Sequence, residues 1–213
     1  MSGSYAGVAP DPEFDDRCKE IRVIVRIPGR FSLASKRDAD GNRREFACRA
    51  VNISSTHMML ATPVSGPVGE RVIAYFNEFG KIQGSIVRVI AGGFVFRIVA
   101  CNEERSKLLR KLIWLEQNKN FDVPDMRTHK RIVPEAPHST LIFPDGSMLG
   151  CFVIDLSASG VAVSADIVAE IGTVLAVGKV TGTVVRHFTE GFAVQFKQLQ
   201  HPSLIEQLVI HKC

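Results

Sequence analysis

The chain carries the same series of landmarks twice. In the first half Arg22 is followed by Asn52-Ile-Ser54-Ser-Thr-His57, then Gly84-Ser-Ile-Val-Arg88 and Gly93-Phe-Val-Phe-Arg-Ile98. In the second half Arg127-Thr-His-Lys-Arg131 is followed by Asp155-Leu-Ser157-Ala-Ser-Gly160, then Gly182-Thr-Val-Val-Arg186 and Gly191-Phe-Ala-Val-Gln-Phe196. A period of about a hundred residues is too long for a solenoid unit and has the size of a domain. A chain of 213 residues therefore reads as two copies of one domain. The polar landmarks are complete in the second copy and altered in the first.

Both halves read as short strands. Val23–Ile27, Arg30–Ala34 and Glu45–Ile53 are separated by Pro28-Gly29 and Asp40-Gly-Asn42, and Met58–Ala61, Arg71–Phe76, Lys81–Ile90 and Phe94–Val99 follow. The second series is His138–Phe143, Gly150–Asp155, Gly160–Ser164, Val174–Val177, Gly182–His187 and Phe192–Phe196, with a hairpin signal at Pro144-Asp-Gly146. Many short strands at even spacing predict a mainly β protein of two small antiparallel barrels. Helical periodicity appears at 102–118, with Asn102 as the expected N-cap, Glu103 and Glu104 in the first turn, and Trp114 as the expected packing anchor. Ser203–Ile210 predicts a terminal helix, so each barrel is followed by one. Residues 1–16 read as a flexible tail.

Composition narrows the function classes. A net charge of +4 suits a small anionic ligand and is too mild for a general nucleic-acid binder. No apolar run is long enough for a membrane span, and the first residues lack a signal core. Five scattered cysteines, with no Cys-x-x-Cys, point to a reducing cytoplasm rather than to disulfides or zinc. Nucleophile-elbow, zinc-protease and phosphate-loop motifs are all missing, so catalysis, a cofactor and a metal are not expected.

The chemistry lies in the complete copy. Arginine forks match phosphate oxygens and the O6/N7 edge of guanine. Asp155 and Ser157 alternate along a strand end and share a face, where a carboxylate can accept from guanine N–H groups. Gly160 would let a bulky ligand approach the backbone. Arg88 and Arg186, at matching places in the repeat, read as surface residues beside a barrel strand.

Arg-x-x-x-Arg followed by Asp-x-Ser-x-x-Gly on a strand-rich frame resembles the PilZ domain, a bacterial receptor module for cyclic di-GMP. Arg127, Arg131, Asp155, Ser157 and Gly160 match all five positions, and the resemblance spans about residues 17–100 and 127–200. It implies a tandem PilZ protein: a degenerate first domain over 17–118, a linker over 119–130 carrying the first motif arginine, and a binding domain over 131–213. It also implies that cyclic di-GMP, as one or two molecules, binds where the linker meets the second barrel and alters the interdomain arrangement or partner binding. In the first copy Arg22 stands for Arg131, Cys18 for Arg127 with Arg17 one residue early, Asn52 for the aspartate, and His57 for the glycine; Ser54 is kept. Arg17, Arg22, Asn52 and Ser54 are thus weaker candidates. A nucleotide-independent adaptor, holding a protein partner on its barrels, is the alternative. The downstream partner and a homodimer are left open.

Overall fold

The computed structural model describes residues 23–117 and 131–210, apart from the side chains of 115–117. The expected tail and the linker 119–130, with the domain boundaries drawn there, lie outside the described residues.

Strands β1 (Val23–Arg37), β2 (Arg43–Ile53), β3 (His57–Ala61), β4 (Arg71–Phe76), β5 (Gly80–Ile90) and β6 (Gly93–Ile98) close a barrel in the order β1-β2-β3-β6-β5-β4. Helix α1 (Asn102–Gln117) follows. The second barrel uses β7 (His138–Ile142), β8 (Met148–Ser157), β9 (Gly160–Ser164), β10 (Val174–Val177), β11 (Val180–Phe188) and β12 (Gly191–Phe196), and α2 (Ile205–Val209) follows. Its closed order, β10-β11-β12-β9-β8-β7, is the same topology with every strand in its matching place. All ladders are antiparallel.

Alternation drives closure. In β4 and β12 every second side chain turns inward, giving a dry core on one face and water on the other. The first core is aromatic, with Phe31, Phe46, Phe94 and Phe96 fully buried, whereas the second relies on Val, Leu and Phe192. Gly84 and its counterpart Gly182 sit where a Cβ would come within 1.9 Å of the Arg97 carbonyl and 2.5 Å of the Gln195 carbonyl. Only glycine allows β5 and β11 to cross their neighbours so closely.

Four local expectations are corrected. Pro28-Gly29 does not break the first strand, and β1 runs through it. Pairing to β4 begins only at Gly29, so on that edge Pro28 costs no ladder bond. The helix cap lies one residue earlier than Asn102: the Cys101 N–H donates to the Glu104 carboxylate at 2.9 Å, the reciprocal half of a capping box. Trp114 is 54% exposed, and the anchors of α1 are Leu108 and Leu112. Helix α2 is shorter than expected but buries Ile205 and Val209 completely against the second core.

The barrels meet through β2 and β8, which are the same strand of the two copies. Arg49 faces Pro28 on its ladder as Phe152 faces His138, and the Arg49 guanidinium lies 5.8 Å from the Phe152 ring centre. Val51 and Ile154, also equivalent, pack with Ala47, Ala61 and Phe152 in one cluster. Equivalent residues touching each other is the signature of a near-two-fold, isologous contact within one chain. The Ala47 N–H donates to Ser164 Oγ at 3.0 Å, Arg44 donates to the Asp166 and Ala165 carbonyls at 2.5 and 2.8 Å, and Lys36 pairs with the Asp166 carboxylate.

Candidate functional site

Arg131 is the first described residue of the second copy; Arg127, Arg17, Arg22 and Cys18 fall outside the described residues. Ile132 exchanges both backbone hydrogen bonds with Leu156, at 2.7 and 2.9 Å. That bridge lays the 131–133 segment along β8 and sets Arg131 beside Asp155. Arg131 Nη1 donates to Asp155 Oδ2 at 2.7 Å, with both side chains only partly exposed. The two halves of the motif, far apart in sequence, are thus joined by an ion pair. In the first copy Val23 pairs with Ile53, in the same register as Ile132 with Leu156.

Asp155, Ser157 and Gly160 all line one shallow pocket of about 200 Å³ at the β8–β9 end of the barrel, with Arg131 at its edge. Asp155 follows a bulge at Ile154. A bulge re-aims neighbouring side chains: Ile154 turns to the other barrel while Asp155 turns to the pocket. Ser157 Oγ donates weakly to the Gly160 carbonyl at 3.3 Å and lies 3.3 Å from Ser159 Oγ, so it also stabilises its own turn.

Gly160 has a second constraint beyond ligand approach. A Cβ there would lie 2.6 Å from the Val194 carbonyl on β12, so the barrel itself excludes a side chain. The first copy has room for His57 at the matching place.

Arg186, expected only at the surface beside a barrel strand, completes the pocket. It follows a second bulge, at Val185, which turns it toward Asp155 and Arg131 across the strand. The recurrence of Gly-x-x-x-Arg in both copies was the available signal. The first barrel repeats the arrangement: bulges precede Asn52 and Arg88, and a hollow of about 350 Å³ is lined by Asn52, Ser54, His57 and Arg88. There Ser54 Oγ accepts from the His57 N–H at 3.0 Å, and Thr56 Oγ1 lies 2.8 Å from His57 Nδ1. One anionic carboxylate is lost from that copy and one imidazole is gained.

The sequence matches no protein-family model and no curated protein. Among solved structures, the inhibitor of motility of Bacillus subtilis is similar at 11% identity, covering 88% of this chain and 94% of that one, with a TM-score of 0.29. The Borreliella burgdorferi PlzA protein in complex with c-di-GMP is similar at 14% identity over 91% and 93%, with a TM-score of 0.25. YcgR from Escherichia coli, also in complex with c-di-GMP, is similar at 13% identity over 86% and 80%, with a TM-score of 0.27. Identities and TM-scores this low assign no function to this chain. The tandem of two like barrels is the arrangement that the PilZ resemblance implies.

Proposed function

We propose that the second barrel is a receptor site for cyclic di-GMP. The observation that carries this reading is the Arg131–Asp155 pair at the mouth of a pocket that also holds Ser157 and Arg186. Asp155 can accept from guanine N1–H and N2–H, while Arg131 and Arg186 offer forks to phosphate oxygens or to O6 and N7. The partly exposed ion pair is worth at most about 1 kcal/mol in solution. Charge-assisted hydrogen bonds to a ligand are worth about 1.5–3 kcal/mol each. Ligand contacts therefore outweigh the pair they displace, and Arg131 is free to turn from carboxylate to phosphate.

The finer part of the proposal is that binding changes how the barrels meet. Arg131 and the carbonyls of Pro134 and Glu135 belong to one short segment, and the first barrel grips those carbonyls through Arg49. Moving Arg131 onto a ligand pulls against that grip, so the ligand favours whichever interbarrel arrangement relieves it. Calorimetric titration of cyclic di-GMP into the intact protein tests the binding. Micromolar affinity that disappears in Arg131→Ala and Asp155→Ala is expected, and unchanged affinity in both variants removes this site. Small-angle scattering with and without ligand tests the second part: superposable curves would remove the rearrangement and leave the binding.

A further inference from the structure

The near-two-fold contact between the barrels departs from symmetry around His138. On one side His138 closes against the first barrel: a Cβ on Gly92 would lie only 2.8 Å from His138 Nε2. On the other side the equivalent residues are Pro28 and Glu190. Pro28 is too small to reach across, and an open groove of about 440 Å³ remains, lined by both barrels. That is within the size range of small-molecule sites, which favour domain interfaces.

The groove's chemistry is uneven in a telling way. Arg49 lines it and is only 3% exposed, yet no carboxylate pairs with it among the described residues. Its Nη1 donates to the Pro134 carbonyl at 2.5 Å and to the Glu135 carbonyl at 3.3 Å. The hydrogen bonds of Arg49 all run through Nη1 among the described residues, so its Nε and Nη2 have no protein acceptor where the side chain lines the groove. A buried cation without a counter-ion is costly and gains much from an anion that reaches it. Arg30 stands on the rim, spending its Nε on Glu45 at 2.9 Å and lying 5.5 Å from the centre of the Tyr75 ring. Tyr75 supplies aromatic surface, the buried Phe152 ring underlies Arg49, and Glu190 on the opposite lip is an acceptor for ligand N–H groups.

We infer that this interbarrel groove is a second ligand site, distinct from the pocket at Asp155, for a small anion carrying an aromatic ring, of mononucleotide size. Arg49 and Arg30 hold the anionic group, Tyr75 flanks the ring, and Glu190 faces its polar edge. Occupancy bridges the two barrels.

Adenosine 5′-monophosphate is the test probe, because its base lacks the N1–H and N2–H donors that Asp155 would read. Calorimetry on the full chain should show saturable binding. Asp155→Ala should leave it unchanged, while Arg30→Ala and Tyr75→Ala, both on the rim, should each weaken it about tenfold or more. Arg49→Ala should abolish it, and thermal melts of that variant will report whether the barrels stay folded; the two rim variants carry the test if they do not. No heat at millimolar probe overturns the inference. So does binding that survives both rim variants, or binding that is lost in Asp155→Ala.

Discussion

Arg186 lines the second barrel's pocket, is exposed, and has no hydrogen bond or ion pair among the described residues. Its fork is therefore available to a ligand without first breaking anything. Arg186→Ala should weaken cyclic di-GMP binding about tenfold or more while moving stability by less than about 0.5 kcal/mol, as expected for an exposed side chain. Equal affinity by calorimetry would return Arg186 to the surface role that its sequence suggested. Gly160 makes the opposite kind of prediction. Because a Cβ would press on the Val194 carbonyl, Gly160→Ala should cost about 1–3 kcal/mol in denaturant unfolding without any ligand present. An unchanged midpoint would mean that the glycine serves the ligand alone. At this scale Asp155, Ser157 and Gly160 were legible because a motif fixes their spacing. Arg186 was not, because the bulge at Val185 breaks the two-residue alternation by which strand faces are counted.

Strands were legible where turn residues bound them and obscure where the barrel supplies the missing edge. Gly160–Ser164 and Arg71–Phe76 fall where alternation and their flanking turns place them. Pro28 looked like a break because its effect depends on which neighbour lies beside it, and that neighbour, β4, is distant in sequence. Helix α1 shows the same limit. Its periodicity marked a helix, but the face that packs is fixed by the barrel, which takes Leu108 and Leu112 and leaves Trp114 half exposed. Leu112→Ala should accordingly cost about 2–5 kcal/mol, the range for an aliphatic side chain removed from a sealed core. Ile113→Ala, at 36% exposure, should cost far less. Similar losses for the two in thermal unfolding would show that α1 is not held on the first barrel by Leu112.

The duplication was visible as a repeat, yet a linear sequence cannot say that the copies meet through the same strand. That juxtaposition puts Ile154 and Asp155, adjacent on one bulge, on the interbarrel contact and in the ligand pocket respectively. It also makes His138 the plug of the closed side of the interface. Desolvation there, and next the nearby Arg49 guanidinium, hold the imidazole below its ordinary pKa; the Gly92 backbone and the Phe152 ring, 6.2 Å away between centres, also pack against it. An imidazole with a lowered pKa binds fewer protons folded than unfolded at any pH between that value and about 6.5. Stability therefore falls as pH drops from about 6.5 to the lowered value, and no further on its account below it. Comparing thermal midpoints from about pH 7.5 down to 5.5 should show the native protein losing more than His138→Phe, whose ring fills the same space without titrating. Scattering over the same range should show the barrels loosening only while the histidine is present. Parallel melting curves for the two proteins would rule out His138 as the pH-sensitive element of the joint.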